Sequence, residues 1–209
     1  MIFESRNPAT GEIVELLDGL SDAQLQAVLQ RSAKAVPQWQ SSSFAERADL
    51  LKRVASILHQ RRETLAQLMS QEMGKLQREA LGEVDKCALA CEYYAEQTPA
   101  MLADQQVETN AKHSFISFEP LGTILAIMPW NFPLWQVFRF LAPTLMAGNT
   151  ALLKHAPEVP RCARMIEEIL REAGAPDGVF STLLISVDQT ATVIADSRVQ
   201  GVAFTGSES

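Results

Sequence analysis

With 209 residues, a formal charge of −7, 47% hydrophobic and 21% charged residues, the chain can bury a sizeable core and is too balanced for wholesale disorder or a fibrous architecture. The acidic balance argues against general attraction to nucleic acid or to an anionic membrane surface. Polar and charged residues interrupt Met1–Gly11, where a signal peptide needs an apolar stretch, and the apolar run Leu121–Trp130 is too short to span a bilayer, so a cytoplasmic location is expected.

In chain order, Asn7-Pro8-Ala9-Thr10-Gly11 reads as a turn and Glu12–Leu17 as a short strand. Ser21 with Gln24 has capping-box spacing and opens a helix to about Gln38, with Pro37 marking its end. Ser43 with Glu46 opens a longer helix in which Leu51, Val54, Leu58, Leu65, Leu68 and Met69 recur near helical spacing as far as Gly74. A further helix runs from about Lys75 to Ala103, with Pro99 bending it or ending it early. Cys87 and Cys91 sit four apart in that helix with no His nearby to complete a metal set; with Cys162 they read as buried, inert thiols of a reducing compartment.

The pattern changes after about Val107. His113–Glu119 alternates like a strand with one solvated face, and Gly122–Met128 is continuously apolar, like a parallel strand buried on both faces. Then follow a helix (Leu134–Ala147), a strand (Thr150–Lys154), a helix (Glu158–Ala173) closed by Gly174, a strand (Ser181–Ile185), a helix (Asp188–Ala195) and a strand (Gly201–Thr205). The expected fold is α/β: N-terminal helices followed by a doubly wound, Rossmann-like parallel sheet. Such a sheet binds nucleotides or similar ligands at the carboxyl ends of its strands.

Three of those ends carry unusual residues: Pro129-Trp130-Asn131-Phe132-Pro133, Lys154-His155-Ala156-Pro157 and Thr205-Gly206-Ser207. The Asn131 amide can donate to an oxyanion or cap the helix that begins near Pro133. Lys154 can reach a ribose hydroxyl or phosphate, or stay solvated. Gly206 and Ser207 can bring backbone N–H groups and a hydroxyl to a pyrophosphate if a helix N-terminus follows. Arg139, about two helical turns beyond Pro133, can face an acidic group on a substrate or form an ordinary salt bridge.

Together with Ala147-Gly148-Asn149, Leu153-Lys154 and Phe204-Thr205-Gly206-Ser207, and with Asn7–Gly11 and Glu72-Met73-Gly74-Lys75 in support, the Pro-Trp-Asn-Phe-Pro segment resembles the aldehyde dehydrogenase superfamily in order and approximate spacing along essentially the whole chain. The resemblance implies oxidation of an aldehyde through a cysteine thiohemiacetal, hydride transfer to a nicotinamide, and hydrolysis of the thioester with help from a glutamate base. It assigns Asn131 to the oxyanion, Trp130 and Asn131 to the cofactor's surroundings, Lys154 to the adenosine ribose, and Gly206 with Ser207 to the pyrophosphate. It places the nucleophilic Cys and the base Glu in segments after Phe-Thr-Gly-Ser. Residues 1–209 are then a partial NAD(P)-binding domain, inactive alone, with 113–119 part of an oligomerisation arm; complete relatives are expected as homodimers or homotetramers.

Asn131 through Arg139 and Leu152–Pro157 particularly resemble bacterial succinate semialdehyde dehydrogenases, in which an Arg matching Arg139 recognises the substrate carboxylate. Pro157 stands where relatives often place Glu or Ser near the adenosine ribose and offers no side-chain hydrogen bond. With His155 able to assist a 2′-phosphate and Glu158 opposing it, the cofactor is NAD or NADP, with a slight lean to NAD. The alternative is a non-catalytic nucleotide-binding or interaction fragment from a truncated gene.

Overall fold

The computed structural model describes residues 1–207. Strands β1 (Ile2–Arg6) and β2 (Ile13–Asp18) pair antiparallel. The turn expected at Asn7–Gly11 is their hairpin loop: Asn7 Oδ1 accepts from Ala9 N–H at 2.9 Å, and Gly11 adopts φ 75°. β1 carries no legible alternation in its sequence, and pairing with β2 is what defines it.

Helix α1 (Asp22–Ser41) starts on the expected Ser21–Gln24 capping box but does not stop at Pro37. Pro37 removes one helical hydrogen bond, and tertiary anchoring offsets that loss: Trp39 is buried and its indole N–H donates to Leu145 O at 3.2 Å. The long helix expected from Ser43 to Gly74 is two helices, α2 (Phe44–Gln60) and α3 (Arg62–Met73), broken at Arg61, whose guanidinium reaches over to Glu172. Gly74 closes α3 in the left-handed region at φ 74°, a conformation that favours glycine. Helix α4 (Gln77–Met101) continues through Pro99 for two residues. Cys87, Cys91 and Cys162 are all buried.

Only two residues of the strand expected at 113–119 pair: β3 (Gln105–Gln106) meets β4 (Phe115–Ile116). The stretch 117–120 has no partner strand among the described residues, and its backbone alternation alone cannot make a ladder.

The second half alternates as expected: β5 (Thr123–Met128), α5 (Trp135–Met146), β6 (Thr150–His155), α6 (Pro160–Glu172), β7 (Phe180–Thr182), α7 (Val187–Ile194) and β8 (Val199–Phe204). The four strands form a parallel sheet in the order β7-β6-β5-β8. The chain therefore winds outward from β5 and then returns to its other side, creating a switch point between β5 and β8.

Alternate residues of the strands feed two cores. Ala126, Met128, Ala151 and Leu153 join the core built with α2–α6, whereas Leu125 and Leu152 pack with α1, α7 and Leu183. Ser32, Thr123 and Thr150 form a buried ring of hydroxyl contacts at 2.9–3.2 Å, which ties α1 to the amino ends of β5 and β6. β8 has a strand neighbour on one side only among the described residues, and Val202 and Phe204 on it are exposed. No helix among the described residues is long and apolar enough to cross a membrane.

Candidate active site at the carboxyl edge of the sheet

Sheet register sets the site. Lys154 lies beside Ile127, and Ile127 beside Phe204, so the turns after β6, β5 and β8 leave the sheet at one level. Thr205 N–H continues the ladder to Ile127 O at 3.0 Å. Between the turns opens a cleft of about 690 Å³ whose walls include Trp130, Asn131, Lys154, Pro157, Gly206 and Ser207. Six of the residues singled out in the sequence thus share one cavity. Gln136 and Glu158 also line it. Nothing local marks Gln136, which follows Trp135 by one residue; its buried Oε1 accepts no hydrogen bond among the described residues.

Lys154 is half-buried, and its ammonium makes no hydrogen bond or ion pair among the described residues. Burial holds its pKa below the ordinary lysine value, with the nearby Glu158 pulling the other way. Asn131 is exposed to the cleft. It does not cap α5: the N–H groups of Leu134 and Trp135 both donate to Glu83 Oε1 on α4, each at 2.9 Å. The side-chain amide of Asn131 is left without a hydrogen bond among the described residues, while its carbonyl accepts from Lys75 Nζ at 3.1 Å.

His155 does not reach a phosphate. It is buried, its Nε2–H donates to Pro133 O at 2.8 Å, and Nδ1 accepts from Ala156 N–H at 2.9 Å. Those partners specify one neutral tautomer, and burial pushes the pKa from 6.5 down to about 4. The apolar strand residues before it signalled β6, but not which face the imidazole would take.

The N-termini of the crossover helices are already occupied. Glu83 receives the first N–H groups of α5, and Glu72 receives those of Arg161 and Cys162 at 2.9 and 2.8 Å in α6. Ser186 and Gln189 close a capping box on α7. With those helix ends occupied, Lys154 stands as a cation in the wall of the cleft, beside the Gly206–Ser207 turn. A Cβ on Gly206 would sit 2.9 Å from the Phe204 ring, so the glycine keeps this wall low. The helix expected after Ser207 lies outside the described residues. Ammonium, backbone N–H groups, a flat indole and side-chain amides are the donor set that suits a dinucleotide's phosphates, sugars and bases.

Arg139 lies outside the cleft. It is exposed on α5, one helical turn beyond Trp135, with no ion pair among the described residues. Trp135 and Phe132 line a second cavity of about 400 Å³ with Lys75, Glu83 and Lys86, and the Lys86 ammonium stands 3.9 Å from the centroid of the Trp135 ring. None of the three cysteines reaches either cavity, and burial raises all three thiol pKa values, leaving no reactive thiolate. Among the described residues no group of three or more His, Cys, Asp or Glu side chains could hold a metal ion.

A family model described as the aldehyde dehydrogenase family matches residues 1–209. The chain is 48% identical over 208 residues to a probable NADP(+) succinate-semialdehyde dehydrogenase of Synechocystis sp., covering 100% of this chain and 46% of that relative. It is 42% identical over 203 residues to an NAD(P)+ succinate semialdehyde dehydrogenase of Escherichia coli strain K12, covering 97% of this chain and 44% of the relative. The crystal structure of succinic semialdehyde dehydrogenase from Streptococcus pyogenes in complex with NADP+ superposes with a TM-score of 0.93 at 40% identity, covering 96% of this chain and 44% of that one. The chain thus spans slightly less than half the length of these relatives.

Proposed function

The chain belongs to the aldehyde dehydrogenase family, and on that premise we propose that it forms the cofactor-binding part of an NAD(P)-dependent enzyme oxidising succinate semialdehyde to succinate. The observation that carries the reading is the convergence of Trp130, Asn131, Lys154, Pro157, Gly206 and Ser207 on one cleft at the switch point of a parallel sheet. The names of the relatives support the substrate and move the cofactor choice from the slight lean toward NAD to NADP, with NAD also accepted. Pro157 and the buried His155 contribute no side-chain selection at the ribose.

In this reading Lys154 holds the adenosine ribose, Gly206 and Ser207 receive the pyrophosphate, and Trp130 orients the nicotinamide end. When bound, the nicotinamide supplies the hydride acceptor. The Asn131 amide donates to the oxygen of the aldehyde as negative charge develops there. Cys87, Cys91 and Cys162, buried with raised thiol pKa values, take no part as nucleophile in this reading; the nucleophilic Cys and the base Glu are assigned, by the resemblance, to segments after Phe-Thr-Gly-Ser. Residues 113–119 are assigned to an oligomerisation arm, of which β4 is the ordered pair.

Calorimetric titration of the purified 1–209 chain tests the binding half: saturable one-site binding of NADP+ without aldehyde turnover is expected, and no binding would sink the reading. Arg139 is assigned to the substrate carboxylate. In the protein completed with its catalytic segments, Arg139→Leu is expected to raise KM for succinate semialdehyde far more than for an uncharged aldehyde. Equal effects on both substrates would remove this role.

A further inference from the structure

The turn that carries Asn131 is held by two buried charges outside the cofactor cleft. Lys75, delivered by the left-handed Gly74, and Glu83, two turns into α4, form an ion pair whose side chains are only 6% and 1% exposed. Both partners spend their remaining contacts on the same turn. Lys75 Nζ donates to Asn131 O at 3.1 Å and stands 3.7 Å from the centroid of the Phe132 ring, while Glu83 Oε1 accepts from Leu134 N–H and Trp135 N–H. His155 takes the Pro133 carbonyl, and Gln136 N–H takes that of Phe132. The main chain from 131 to 135 is thereby pinned at every carbonyl through Pro133 and at both of the last two N–H groups. Among the described residues the Asn131 side-chain amide has no hydrogen bond and stays open to a ligand.

Stability is a poor explanation for this arrangement. A buried ion pair costs several kcal/mol of desolvation per ion, and well-packed apolar residues of similar volume are often as stable or more so. What an apolar pair cannot do is hold a particular carbonyl oxygen in place. We propose that Lys75 and Glu83 are positioning residues that preorganise Asn131, so that its amide faces the reacting oxygen with its main chain already fixed. This rests on the reading of Asn131 as oxyanion donor. Donors fixed before the reaction need no reorganisation as charge develops, and this is where such groups gain their effect.

The test is made on the ¹⁵N-labelled 1–209 chain. Lys75→Met alone leaves Glu83 buried without its partner and can prevent folding, so the decisive variant is Lys75→Met with Glu83→Gln. That pair is neutral, and the amide oxygen introduced by Glu83→Gln still serves Leu134 N–H and Trp135 N–H. The expected result is a native fold in which backbone order parameters at Asn131 and Phe132 fall from about 0.85 to below about 0.6. The Asn131 side-chain amide signals should also lose their dispersion and their shift on addition of NADP+. Lys75→Arg with Glu83 intact, which keeps a charged donor beside its carboxylate, should retain both. A double variant that melts at a different temperature but keeps the wild-type order at 131–132 and the NADP+ response of Asn131 would overturn the proposal. Failure of wild type to bind NADP+ would defeat the cofactor reading, while the ligand-free order parameters would still decide the clamp.

Discussion

Lys154→Ala gives the sharpest test of the cleft. The ammonium lies at the end of β6 among the cleft-lining groups, half-buried and with no hydrogen bond or ion pair among the described residues. Its removal costs the chain's own fold little, because no hydrogen bond within the fold is lost. A single charge-assisted hydrogen bond to a ribose hydroxyl or phosphate is worth about 1.5–3 kcal/mol, so the dissociation constant for NADP+ should rise about 10- to 150-fold. The pH dependence has a definite sign. Binding uses the protonated amine, and burial depresses its pKa, so affinity should hold at neutral pH and fall as pH rises, beginning below the value at which an ordinary lysine titrates. In Lys154→Ala that fall should vanish. Titration calorimetry between pH 7 and 10 at fixed ionic strength reads both effects. An affinity within twofold of wild type at neutral pH would refute the placement of Lys154 against the cofactor.

Three further outcomes follow from buried groups. His155 is neutral in the fold with a pKa of about 4 against an ordinary 6.5, so below pH 6.5 the unfolded chain binds the extra proton and stability falls until about pH 4. The loss amounts to about 3 kcal/mol across that window; urea unfolding at pH 7 and 4.5 should show it, and His155→Gln should remove this component, whereas an unchanged slope would contradict it. Glu72→Ala leaves the buried Cys162 N–H and the part-buried Arg161 N–H of α6 without their acceptor and should cost about 2–4 kcal/mol. That cost would be read as a lower urea midpoint at unchanged m-value, and a cost under about 1 kcal/mol would show that the carboxylate does not cap α6. Cys87, Cys91 and Cys162 should resist a thiol reagent in the native chain and react together in urea; immediate labelling of any one would contradict its burial.

Much of the fold is written in short-range pattern. The Ser21–Gln24 and Ser43–Glu46 boxes both form, and the continuously apolar stretch before Pro129 is a central parallel strand. The strand ends of a βα alternation point to one edge, which is why Trp130, Asn131, Lys154, Pro157, Gly206 and Ser207 stand out as neighbours from the sequence alone. Arg139 was legible as a cation on the next helix, but its position outside the cleft depends on which way α5 is turned.

What the chain determines locally is therefore the element order, the helix starts made of residues three apart, and the edge where ligand chemistry gathers. What only the tertiary structure decides is everything that one segment does for another. Trp39 carries α1 through Pro37 by bonding to Leu145, a residue far along the chain on α5. His155 turns inward to the Pro133 carbonyl and away from any phosphate. Glu83 displaces Asn131 from the cap of α5, and Glu72 occupies the N-terminus of α6. Such buried polar groups must find partners wherever the packed chain presents them, and those partners lie too far apart in sequence to leave a periodic or spaced signature.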